Sequence, residues 1–156
     1  MEVDGKVAVI TGGGTGVGRA TALDLARRGC SVVVNYSRSK DAAEATAAEV
    51  AKLGVRALAF RADVADDAAC RALVDATVRE LGRVDVLVQS AGVTVFVPHA
   101  NLDAITSDDW TRLIGVNLIG AFQMARAVKA PMDAAGAGVI VNVSSVAGIA
   151  GVGSSI

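Results

Sequence analysis

No sign of charge dominates this sequence: 15 basic residues stand against 16 acidic ones, a net charge of −1. That balance leaves no electrostatic footprint for nucleic acid or for an anionic membrane surface. Cysteine is scarce. The two present, Cys30 and Cys70, lie in apolar surroundings with no metal-ligand residues beside them. They read as buried free thiols in a reducing compartment, the cytoplasm, and no metal site is expected. Prolines are limited to Pro98 and Pro131, both outside the apolar runs. A signal peptide is lacking too, since Met1-Glu2-Val3-Asp4 puts acid where base is needed. Ala134 to Ile156 carries no charge and is long enough for a bilayer. Its glycines and Asn142 argue against a membrane helix, and it reads as a buried strand followed by a loop.

What is present is apolar sequence, 53% of 156 residues. That excludes disorder and suffices for one domain, residues 1–156, with a core of its own. Short β-branched runs alternate with Ala-rich helical segments. Strands are predicted at Lys6–Thr11, Ser31–Tyr36, Ala57–Arg61, Val84–Gln89 and Gly138–Ser144. Helices are predicted at Gly16–Arg28 and Asp41–Leu53, stopped by Gly29 and Gly54. A third follows Asp66, with Cys70, Leu73, Val74, Val78 and Leu81 as its apolar stripe. A fourth, capped from Thr106, Ser107 or Asp108, is predicted to run unbroken to about Met132. Trp110, near its start, reads as packing, and the pair Asp66-Asp67 as a helix N-terminus rather than a metal site. Continuously apolar strands are buried on both faces. Five of them, each followed by a helix or crossover, predict an α/β fold with a doubly wound parallel sheet of Rossmann type.

Between the first strand and first helix stands TGGGTGVG, Thr11 to Gly18. Glycines there let the backbone approach a pyrophosphate, and the helix N-terminus supplies free amides and partial positive charge. The spacing G-x-G-x-x-G fails at Val17; Thr-Gly-x-x-x-Gly-x-Gly fits, through Thr11, Gly12, Gly16 and Gly18. At the end of the second strand, Asn35-Tyr36-Ser37-Arg38 offers no acid for a ribose 2′-hydroxyl. Arg38, assisted by Ser37, can instead donate to a 2′-phosphate, a charge-assisted bond giving a roughly ten- to hundredfold preference for NADP(H) over NAD(H).

This pattern resembles the short-chain dehydrogenases/reductases, and further motifs agree in order. Asp63-Val64 follows the third strand, Ala91-Gly92 the fourth, Val116-Asn117-Leu118 lies on the fourth helix, and Val141-Asn142-Val143-Ser144-Ser145 ends the fifth strand. The resemblance implies an oxidoreductase that moves hydride between NADP(H) and a small-molecule carbonyl or secondary alcohol. It implies cofactor contacts at Gly12, Thr15, Gly16, Val17, Gly18, Ser37, Arg38, Asp63, Val64, Ser90, Ala91 and Gly92. Asp63 would meet the adenine, Ser145 the substrate oxygen, and Asn117 a water of the proton relay. Gln89-Ser90 departs from the family's Asn-Asn, so Ser90 is the weaker of these contacts. His99, the only histidine, falls where relatives begin to line the substrate cleft and reads as a loop residue.

The family's proton-donating tyrosine and its lysine are expected at positions 158 and 162, after Gly153-Ser154-Ser155-Ile156. The chain is therefore expected to stop short of them and to be inactive by itself, its parent being a homodimer or homotetramer. In the family's strand order 3-2-1-4-5-6-7 the fifth strand becomes an edge. Val139, Ile140, Val141 and Val143 would then be uncovered, which invites association. The alternative is a nucleotide-binding module without catalysis; an epimerase is disfavoured by Asn117 and the Val-Asn-Val-Ser-Ser run.

Overall fold

The computed structural model describes residues 2–98 and 100–150. Strands and helices alternate: β1 (Val7–Thr11), α1 (Gly16–Arg27), β2 (Ser31–Tyr36), α2 (Lys40–Ala51), β3 (Ala57–Arg61), α3 (Asp67–Leu81) and β4 (Val86–Gln89). Then come a 3₁₀ turn (Leu102–Ala104), α4 (Ser107–Ile114), a π-helical turn (Gly115–Ile119), α5 (Gly120–Ala134), β5 (Val139–Asn142) and α6 (Ala147–Ala150).

The strands form one parallel sheet in the order β3-β2-β1-β4-β5. Val9 of β1 is in register with Val33 of β2 and Leu87 of β4. Side chains alternate across a strand, so the central strands fill two cores. Ala8, Ile10, Val32 and Val34 pack with Ala22, Ala26, Ala43 and Val50 of α1 and α2. Val9, Val33 and Leu87 pack on the other face with Leu73 and Val74 of α3 and with Met124 and Val128 of α5. The doubly wound Rossmann-type architecture is therefore present, and its parallel strands all end on one edge of the sheet.

The opposite edge is held by a buried acid. Asp85, 1% exposed, precedes β4 and accepts from the Val7 N–H at 3.0 Å. Arg83 grips it through Nε at 2.7 Å and a terminal nitrogen at 2.5 Å. Its own N–H and carbonyl join Val7 and Val139 of the neighbouring chain segments.

Several boundaries differ from the sequence reading. The fourth strand begins at Val86 rather than Val84; Asp85, just before it, bonds β1 through its side chain as well as its N–H. Of the α3 stripe, Cys70, Leu73 and Val74 are buried, but Val78 is 38% exposed; Ala76 and Thr77 are buried on that helix. Thr106 alone caps α4, in a reciprocal box with Asp109, so Ser107 and Asp108 are helical rather than caps. The long fourth helix is interrupted by the π turn. Trp110 is about half exposed. Asp66 caps α3 as expected, accepting from Ala68 and Ala69 N–H groups, and Gly29 and Gly54 take φ values of 81° and 87° after α1 and α2. As expected, β5 is the sheet edge, with Val139, Ile140, Val141 and Val143 between 37% and 45% exposed. No helix among the described residues is long and apolar enough to cross a membrane.

Cys30 and Cys70 are free and buried. Burial, with Asp85 beside one and Asp67 and Asp66 beside the other, pushes both thiols up to about 11. A thiolate is the reactive form. Neither cysteine is therefore expected to react with a disulfide reagent at pH 8 until guanidinium unfolds the chain, when both should titrate. Prompt labelling of either in the native protein would contradict this burial.

Candidate functional site

The loops leaving the carboxyl ends of β1 to β4 converge on an open cleft enclosing about 700 Å³. Its floor is sewn together by Thr11, whose hydroxyl accepts from the N–H groups of Ser90 and Ala91, both at 3.1 Å. Gly12 crosses this seam at φ 63°, where a Cβ would stand 3.0 Å from the Ala91 Cα. Gly18 is tighter still: a Cβ there would lie 2.5 Å from the Gly12 carbonyl oxygen. The first turn of α1 thus rests directly on the glycine loop. Thr15 is the N-cap residue, yet its side chain makes no capping bond and no acid occupies the first turn. Among the described residues no side chain caps the leading N–H groups of α1, at the positive end of a helix, which suits an anion. Gly16, at φ 52°, has nothing within 4 Å of where a Cβ would be, and Val17 beside it is 58% exposed. A glycine-rich loop with open space at Gly16, beside a helix N-terminus, fits a pyrophosphate.

Of the sequence-predicted residues, Gly12 and Thr15 line the cleft on the α1 side, Ser37 and Arg38 at the end of β2, and Asp63 and Val64 after β3. Ser90, Ala91 and Gly92 line it after β4. Gly16, Val17 and Gly18 form the adjoining helix turn. Asn35 and Tyr36 lie between these groups, and the Asn35 amide ties β2 to β3 by donating to the Ala62 carbonyl at 3.0 Å.

Asp63 is fixed from two sides. One carboxylate oxygen accepts from the Ala65 N–H at 3.0 Å, and the other from Arg112 of α4 at 2.7 Å. Burial works against the carboxylate. The Ala65 N–H, the Arg112 guanidinium and the charge of Arg38 outweigh it, holding the carboxyl below its ordinary range. Arg112 also borders the cleft. Sequence reading missed it, since an arginine between Thr111 and Leu113 looks like a solvated helix residue; only its partner 49 positions away distinguishes it.

Asn117 sits in the π turn. Its amide oxygen accepts from the Val93 N–H and its amide nitrogen donates to the Val93 carbonyl, both at 2.9 Å. Gly92 comes close to the same amide, a Cβ there falling 3.6 Å from the Asn117 oxygen. The side chain of Asn117 is thus committed to the loop after β4. Ser145 follows β5 on the same edge of the sheet, exposed, its hydroxyl oxygen accepting from the Ala147 N–H at 3.1 Å. Between these rims, Gln89 donates to the Asn142 side chain at 2.9 Å, joining the ends of β4 and β5. Neither Asn117 nor Ser145 lines the cleft. His99 and the run from Gly153 to Ile156 lie outside the described residues.

This geometry has clear counterparts. A sequence model of the short chain dehydrogenase family matches residues 6–156. The chain is 44% identical, over 98% of its length, to a Streptomyces violaceoruber protein provisionally named ketoacyl reductase 2 of the granaticin polyketide synthase. It is 40% identical, over 94% of its length, to the 3-oxoacyl-[acyl-carrier-protein] reductase of a Synechocystis species. The chain covers 60% and 58% of those two proteins. Among solved structures, a xylitol dehydrogenase with bound NAD+ superposes with a TM-score of 0.88 at 35% identity, over 99% of this chain and 58% of that one. With the family sequence pattern, the parallel sheet and the glycine loop all in agreement, the chain belongs to the short-chain dehydrogenases/reductases.

Proposed function

We propose that residues 1–156 form the dinucleotide-binding domain of an NADP(H)-dependent carbonyl reductase or alcohol dehydrogenase working in the cytoplasm. The observation that carries this reading is the first turn of α1, whose N–H groups no side chain among the described residues caps, beside a cleft lined by Ser37 and Arg38. The pyrophosphate would lie on Gly12, Thr15, Gly16, Val17 and Gly18, the 2′-phosphate on Ser37 and Arg38, and the adenine against Asp63 and Val64. Ser90, Ala91 and Gly92 would border the nicotinamide-side ribose. When bound, the cofactor supplies or accepts hydride at C4 of its nicotinamide ring.

The protein's own part is to orient the substrate and handle the proton. The Ser145 hydroxyl would hydrogen-bond the substrate oxygen, stabilising the charge that grows there. Asn117 would hold a relay water through its main chain, because its side chain is engaged with Val93 on both ends. Tyr36, the one tyrosine in the sequence, borders the cleft next to Ser37 at the 2′-phosphate end, so it is not assigned the proton donor's role. The substrate class is a small-molecule carbonyl or its alcohol. Homodimer or homotetramer formation suits the apolar side chains left exposed from α4 to α5, such as Trp110, Leu118 and Phe122.

The test is a fluorescence titration with NADPH and NADH. NADPH is expected to bind roughly ten- to hundredfold more tightly, the value of one charge-assisted hydrogen bond. Arg38→Ala should remove that preference and leave NADH binding unchanged. Equal dissociation constants in the unaltered protein would overturn the NADP(H) assignment.

A further inference from the structure

Among the described residues, Asp63 and Arg112 form the one charge pair that joins the edge of the cleft to α4. We propose that Arg112 is a positioning residue for the cofactor's adenine end, acting by fixing the direction of the Asp63 carboxylate. The inference rests on the reading of the cleft as a dinucleotide site with Asp63 at the adenine.

The Asp63 side chain is 40% exposed and borders the cleft, so its acceptor sites remain within reach of a ligand. An ionised carboxylate has about four lone-pair positions. Two are taken, by the Ala65 N–H and by Arg112. Those two bonds come from different directions and from different elements, and together they leave the carboxylate little freedom to turn. A short acid held this way presents its remaining lone pairs at a fixed angle, as a base amine requires. With the Ala65 bond alone the carboxylate could swing about its side-chain torsions.

Arg112 is itself placed for this contact at the expense of another. Its Nε is buried and has no partner among the described residues, while its terminal nitrogen reaches Asp63. A helix arginine free to choose would turn that N–H to solvent. Val116, one turn along and in the π turn, also borders the cleft. The end of α4 and the π turn after it therefore form part of the cleft wall, although no motif marks them.

Affinities for NADPH, ADP-ribose and reduced nicotinamide mononucleotide, measured on the intact protein with Arg112→Gln, Arg112→Lys, Asp63→Ala and the double variant Arg112→Gln/Asp63→Ala, separate the possibilities. Arg112→Gln is expected to weaken NADPH and ADP-ribose about tenfold, the loss of one well-placed hydrogen bond to a charged group. The mononucleotide, which lacks adenine, should bind as before. Arg112→Lys should recover part of the loss, and the double variant should be no worse than Asp63→Ala alone. Thermal melts of each variant identify any that fail to fold, and Arg112→Lys keeps the charge if the glutamine variant does. If Asp63→Ala weakens ADP-ribose while Arg112→Gln does not, the positioning role is overturned and the adenine contact stands. If Asp63→Ala has no effect on ADP-ribose, the adenine contact falls and the role of Arg112 falls with it. Equal weakening of all three ligands would mark Arg112 as merely structural and overturn the proposal.

Discussion

Gly18→Ala is expected to reduce NADPH binding by at least about a hundredfold and to destabilise the fold by about 1–3 kcal/mol, the usual range for overpacking. The added Cβ would meet backbone alone: the Gly12 oxygen at 2.5 Å, and the Gly12 carbon and Gly13 Cα at 3.0 Å. No side chain can rotate away, so the glycine loop or the start of α1 must shift. Either movement misaligns the amides that face the cleft. Gly16→Ala provides the contrast. Its Cβ meets nothing within 4 Å, so there is no clash, only the left-handed backbone penalty of about 1–2 kcal/mol. Its Cβ would nevertheless enter the space proposed for the pyrophosphate. The two substitutions should therefore cost similar affinity for different reasons. Calorimetric titration with NADPH measures the loss of affinity in each, and a thermal melt the loss of stability. Unaltered affinity in Gly18→Ala would dismiss the loop as the phosphate site.

The second large effect is expected at the other edge of the sheet. Asp85→Ala should destabilise the protein by about 1–3 kcal/mol, the cost of leaving a buried hydrogen-bond donor without its acceptor. The Val7 N–H would lose its acceptor inside the sheet, whereas Arg83 and Lys6, partly exposed, could turn to water. Asp85→Asn keeps an acceptor for Val7 and should cost about half as much. Neither variant should change NADPH affinity, since Asp85 lies at the amino end of β4 and the cleft at its carboxyl end. Distant sites with no shared partner combine additively, within about 0.5 kcal/mol. Urea denaturation gives the stabilities, and a stability loss below about 1 kcal/mol in Asp85→Ala would refute the role given to this buried acid.

Much of the framework was legible because its signals are local. A run such as Val32–Val34 in β2 is apolar on both faces, so it must be buried on both sides. The glycine loop and the cap at Asp66 are likewise written in adjacent residues. What escaped notice depended on contacts between distant segments. Val84-Asp85 looks like the start of β4 until Asp85 is found holding Val7. Val78 has the spacing of a core residue, yet it stays 38% exposed, lining an open groove beside Ala127, Ala130 and Pro131 of α5. Arg112 acquires its meaning only from Asp63. The break in the fourth helix left no mark in the spacing of its apolar residues. It coincides with Asn117, whose amide bonds both polar groups of Val93, and that is a tertiary demand rather than a propensity. The roles given to Ser145 and Asn117 rest on the family resemblance, and the geometry sets only where they stand.

That break has a consequence for how the chain tolerates changes in length. An α-helix turns about 100° per residue, so an inserted or deleted residue ordinarily swings everything beyond it out of place. A π turn spans one more residue per hydrogen-bonded loop than an α turn does. Between Gly115 and Ile119 the rod therefore carries a spare. Losing one residue there would let the helix regularise while α4 kept Arg112 against Asp63 and α5 kept Met124 and Val128 in the core. The forfeit would be local, the paired bonds between Asn117 and Val93. Among the described helical positions, these five residues are where a deletion would be read as a change of site rather than a loss of fold.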